Sequence, residues 1–84
     1  KEIKDMYVIK ERKTGSYSEI IYAENDFAAM KQFVAYGKKH QLGNNQTLYL
    51  LKVKTYNHRT KTLVSHPPRC IKILGPAVPF KLVK

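Results

Sequence analysis

The sequence predicts a small α+β domain: an antiparallel sheet in the chain order ββαββ, with one helix packed on one face. Three observations predict it. Short segments rich in Tyr, Val, Ile and Leu recur at 6–10, 17–23 and 47–56. One segment, 26–40, carries apolar residues at helical spacing. Turn-forming clusters at 13–16 and 57–61 join neighbouring strand segments at hairpin distance.

Residues 6–10 read as the first strand and 17–23 as the second. Between them Lys13-Thr14-Gly15-Ser16 is a turn, with Gly15 free to take positive φ. Asn25 or Asp26 can cap the helix, because either side-chain oxygen accepts from unpaired first-turn amides. Phe27, Met30 and Val34 follow at helical spacing, and Phe33 and Tyr36 widen the stripe. We expect that stripe to be core. Lys38, Lys39 and His40 sit where cations complement the negative helix end, and Gly37 or Gly43 is the expected stop. Gly43-Asn44-Asn45 is a turn.

The third strand, 47–56, has Tyr49, Leu51 and Val53 on one face. Its other face begins with Leu48 and Leu50 and turns basic and aromatic with Lys52, Lys54 and Tyr56. Asn57 to Lys61 form a basic loop, and 62–65 a fourth strand. Pro67-Pro68 is expected to stop pairing, which leaves 69–74 as a candidate fifth, edge-like strand. Residues 1–76 form the single expected domain, with 77–84 an extended tail. Tyr7, Tyr22 and Tyr49 are expected in the core, and Cys70 as a small buried strand residue. The second sheet face is expected to stay open to a partner.

Eighty-four residues leave room for one modest core. The 43% hydrophobic content suits a folded chain rather than a disordered one. No apolar run approaches the ~20 residues of a membrane helix, so no membrane association is expected. One cysteine rules out an internal disulfide and fits a reducing, cytoplasmic compartment. With so little core, homodimerisation is an expected stabilising device.

Charge is the most informative feature. The net charge is +10, and all six acids, Glu2, Asp5, Glu11, Glu19, Glu24 and Asp26, lie in the first 26 residues. From Phe27 onward there is no carboxylate side chain, while eleven cations remain. Cations with few internal partners make an outward field that attracts polyanions. The sequence holds no glycine-rich phosphate loop and no recognisable carboxylate pair, so an enzyme is not expected. A Cys70–His66 pair lacks a recognisable third member, and His40, His58, His66 and Cys70 have no standard metal spacing. No cofactor, metal or small-molecule substrate is therefore expected.

What remains is cations with aromatics, the two tools that hold single-stranded nucleic acid. The expected cluster is Lys52, Lys54, Tyr56, His58, Arg59 and Lys61, extended by Arg69 and Lys72, with Lys38 and Lys39 as outer members. Lysine outnumbers arginine, and lysine is a point charge rather than a bidentate reader, so weak sequence preference is expected. Two other classes compete: a protein-interaction module acting as scaffold or host-factor adaptor, and an RNA-binding protein of ribosomal type. A filamentous-phage style single-strand binder matches in size, but its all-β fold conflicts with the helix.

The stretch YVIKERKTGSYSEIIYAENDFAAMKQF resembles the start of the small nonstructural protein of gokushovirus-type Microviridae, which are single-stranded DNA phages. The shared order is a K-x-G-x-Y turn (Lys13, Gly15, Tyr17), an Asn25-Asp26 pair before a helix phased on Ala29 and Phe33, then Leu48-Tyr49. A hairpin with Thr55, Tyr56, Asn57, Thr60 and Leu63 follows, so the resemblance covers roughly 6 to 75. It implies single-stranded DNA binding, a part in phage DNA replication and packaging, and action in the host cytoplasm. It assigns no individual binding residue.

Overall fold

A computed structural model describes residues 4–40, 42–43 and 46–76. The elements are β1 (Asp5–Glu11), β2 (Tyr17–Ala23), α1 (Asp26–Lys39), β3 (Leu48–Asn57) and β4 (Thr62–Leu74). The sheet order is β2-β1-β3-β4, and every neighbouring pair is antiparallel. The α+β class and the ββαββ order are therefore as expected. Because β2 and β3 both run opposite to β1, they are parallel to each other. Joining parallel strands requires a long crossover, and α1 supplies it.

One core fills the space under the helix. Tyr7 and Ile9 of β1, Ile21 and Ala23 of β2, and Leu48 and Leu50 of β3 pack there against Ala29 and Phe33. The helix starts where Asn25 Oδ1 accepts from the Ala28 amide at 2.8 Å. Its buried residues are Ala29, Phe33 and Gly37, four apart, so one face meets the sheet. Small residues at either end of that row let the helix lie close, with the Phe33 ring between them.

The expected stripe holds in part: Phe33 is buried and Met30 and Tyr36 pack against the core, but its first member does not. Phe27 is 66% exposed, and Met30 and Val34 are only partly buried. The helix also runs through Gly37 and ends at Lys39. Gly37 is a contact position rather than a stop: a Cβ there would come within 2.8 Å of Leu74 Cδ1. The His40 amide instead closes the helix on the Tyr36 carbonyl at 3.0 Å.

The second sheet face is not bare. Val8, Tyr49 and Leu51 are buried there, flanked by Met6, Val53 and Ile73 that pack against them. Tyr22 is half exposed rather than core, because it opposes Met6 from the outer strand β2. Cys70 lies in a strand as expected but is exposed, since that strand is an edge.

The two hairpin loops share one design. In each, the fourth loop residue donates its amide to the last carbonyl of the first strand: Gly15 to Glu11 at 2.9 Å, and Lys61 to Asn57 at 2.7 Å. Both take positive φ, 72° at Gly15 and 60° at Lys61. The first loop is capped by Glu11, which accepts from the Thr14 amide and hydroxyl; the second by Asn57, which accepts from the Arg59 and Thr60 amides.

There is no separate fifth strand among the described residues. β4 runs on through Pro67-Pro68 to Leu74. Between the pairs Lys52–Arg69 and Lys54–Ser65, one residue of β3 faces three of β4. The prolines sit in that bulge on an edge strand, where a missing amide costs no ladder bond. The proposed tail, 77–84, and the turn residues Asn44 and Asn45 lie outside the described residues. Among the described residues no helix is long and apolar enough to cross a membrane.

Candidate nucleic-acid interface

The site begins with a cation that the fold has taken. Lys52 opposes Tyr7 on the helix side of the sheet. Its Nζ lies 3.2 Å from Asp5 Oδ2 and 3.4 Å from Asp26 Oδ1, and its side chain is only 13% exposed. The Tyr7 hydroxyl donates to Asp26 Oδ1 at 2.6 Å. That bond, with Lys52 and Arg69 nearby, holds the Asp26 carboxyl below its ordinary pKa. Burial, and then the same bond, push the Tyr7 phenol upward. Asp5 also accepts from the Tyr56 amide at 2.8 Å, so this cluster pins β3 close to the β3–β4 turn. Lys52 is thereby a structural cation.

Lys54 does not share its face. Against β1, Tyr7 pairs with Lys52 but Met6 pairs with Lys54, so Val53 is an extra residue. The bulge breaks the two-residue alternation. Lys54 lands opposite Met6, which belongs with the cluster on the far side of the sheet, and is partly buried.

Beyond that point the hairpin carries a cleft of about 830 Å³. Val64, Pro67 and Pro68 supply apolar walls; Tyr56, His58, Arg59, His66 and Arg69 supply rings and charge. No carboxylate is among its described lining residues. The Tyr56 and His58 rings meet edge to face, 4.9 Å apart. His66 is fixed through both nitrogens, Nε2 to the Thr55 hydroxyl at 2.8 Å and Nδ1 to the Pro67 carbonyl at 2.9 Å. A carbonyl only accepts, so Nδ1 carries a proton. The proline bulge is what turns Arg69 and His66 into the same cleft as the hairpin tip.

Of the expected cluster, Tyr56, His58, Arg59 and Arg69 come together here. Lys61 borders a different cleft, with Tyr22, Tyr56 and Leu63. Lys38 and Lys72 border a third, between α1 and β4. Lys39 lies on the opposite flank of the helix beside Glu19 and His40. The sequence reading missed His66 and the two prolines as wall residues. It also missed Phe27 and Lys31, whose ammonium sits 5.3 Å from the Phe27 ring centroid.

The Cys–His pairing weighed from sequence is not formed. His66 is committed to Thr55 and Pro67, and the Cys70 thiol points to the Lys72 carbonyl at 3.8 Å. Partial burial raises the thiol pKa, which suppresses the reactive thiolate.

No protein-family model matches the chain, and neither a curated protein nor a solved structure matches it. The class is thus defined by fold and surface alone: a small α+β domain whose hairpin carries a cationic and aromatic cleft with no acid among its described lining residues.

Proposed function

We propose that the protein binds single-stranded nucleic acid, with DNA as the favoured form, without catalysis and largely without reading sequence. The observation that carries this reading is the β3–β4 cleft, where Arg59, Arg69 and Tyr56 line one surface and no carboxylate is among the described lining residues. Guanidinium groups neutralise phosphates, and an aromatic face stacks an unpaired base for about 1–3 kcal/mol. The apolar walls of Val64, Pro67 and Pro68 suit a base rather than a bare anion. The choice of DNA over RNA rests on the family resemblance and not on the cleft, which has no group dedicated to a 2′-hydroxyl.

A salt titration of binding to a labelled thymidine oligonucleotide tests the proposal. Log K should fall linearly with log[salt], by about 0.7 for each phosphate neutralised. Arg59→Ala and Arg69→Ala should each reduce that slope by about one contact. No binding at ~50 mM salt would refute the reading, because the electrostatic contribution is strongest there. Competition with an RNA oligonucleotide of the same sequence decides between DNA and RNA.

A further inference from the structure

We infer that the cleft between α1 and β4 is a second nucleotide station, with the Phe27 ring as stacking platform and Lys31, Lys38 and Lys72 as phosphate clamps. This rests on the proposal that the protein binds single-stranded nucleic acid. Among the described residues Phe27 is the most exposed of the large apolar ones, at 66%. Leaving a phenylalanine in water forgoes stabilisation that a domain with a modest core would otherwise use. The cause is local: Ala29, Phe33 and Gly37 claim the buried face, which rotates Phe27 outward beside the edge strand.

Three cations border the cleft that holds the ring. Lys31 is one helical turn on, and Lys38 two turns beyond that on the same flank. Lys72 faces them from β4. Met30, Val34 and Ala35 form the apolar floor, and no carboxylate is among the described residues that line the cleft of about 510 Å³. An exposed aromatic ring amid three ammonium groups complements a base with its phosphates. It does not complement a basic or a purely apolar partner.

The two stations are continuous. Arg69 of the hairpin cleft opposes Lys52, and Lys72 of the helix cleft opposes Leu50, both on the helix side of β3. Those partners are two positions apart on β3, about 7 Å, or about two stacked phosphates of one chain. One strand of nucleic acid can therefore run from the hairpin tip past Arg69 and onto Phe27.

The test compares short and long thymidine oligonucleotides, about 2 and about 12 nucleotides, on the full chain. Phe27→Ala should weaken binding of the long oligonucleotide by about 5- to 150-fold while leaving its salt slope unchanged. Lys31→Gln and Lys72→Gln should each lower the slope by about 0.7. Short oligonucleotides, which fill the hairpin cleft alone, should respond to none of these. Phe27→Tyr should retain wild-type affinity, which separates stacking from any effect on folding. If wild type binds the long oligonucleotide and Phe27→Ala binds it equally well, the second station is refuted and the hairpin cleft stands. If wild type binds no oligonucleotide, the underlying function fails and this inference with it.

Discussion

Replacing Lys52 by Met should damage the fold and leave the nucleic-acid interface intact. Met keeps most of the aliphatic stem and removes only the charge. At 3.2 Å from Asp5, the Lys52 ammonium has a gross attraction of about 5 kcal/mol at an effective dielectric of 20. Most of that is offset by the cost of taking both groups out of water. Removing one partner strands the other, however, and Asp5 is as buried as Lys52. A fully buried pair broken this way costs about 3–5 kcal/mol and an exposed one at most about 1. Asp26, at 46% exposed, is partly screened and adds little. The expected loss is therefore about 2–3 kcal/mol, which lowers Tm by about 10–20 °C in a domain of this size. Thermal unfolding followed by circular dichroism measures it. The oligonucleotide salt slope, measured below the transition, should equal that of wild type. Combining Lys52→Met with Asp5→Asn and Asp26→Asn should recover part of the loss, since no charge is then stranded. An unchanged Tm together with a slope reduced by about 0.7 would refute the argument and return Lys52 to the interface.

Lys61→Gly should stabilise the protein by about 0.5–1 kcal/mol, because a side chain at φ 60° carries a cost that glycine avoids. Lys61→Ala should give no such gain, and urea denaturation distinguishes the two. Gly75→Ala should be severely destabilising, by more than about 2 kcal/mol, since φ is +95° and a Cβ would run into the Gln46 carbonyl oxygen. Gly37→Ala should cost less than Gly75→Ala, because the obstruction is the movable Leu74 methyl and alanine favours the helix. Acid stability should depend on Asp26. Its folded pKa is depressed, so its contribution is complete above the ordinary aspartate value of about 3.9 and is lost as pH falls through the folded value. Asp26→Asn should therefore flatten the stability curve below about pH 4, which urea unfolding across pH would show.

The sequence by itself determined the element order, a cap at Asn25 or Asp26, both hairpin loops and the segregation of acids into the first 26 residues. These are local properties: a cap needs one oxygen near three amides, a hairpin needs its turn, and charge is simply counted. The alternation Tyr49, Leu51, Val53 was legible for the same reason, since side chains two apart share a face until a bulge intervenes. Only the tertiary structure decided what each face meets. Two helical stripes were available, 27/30/34 and 29/33/37, and the sheet selected the one whose small residues allow close approach. Lys52 looked like its neighbours in the basic run, yet it opposes Tyr7 and lies between Asp5 and Asp26, which are distant in sequence. The extra residue at Val53 then sent Lys54 to the other side. The prolines bent β4 without ending it, and that bend brought Arg69 to Tyr56 and Arg59. A basic sequence can announce a polyanion, but which cations share a cleft depends on strand register and on the partners buried beneath.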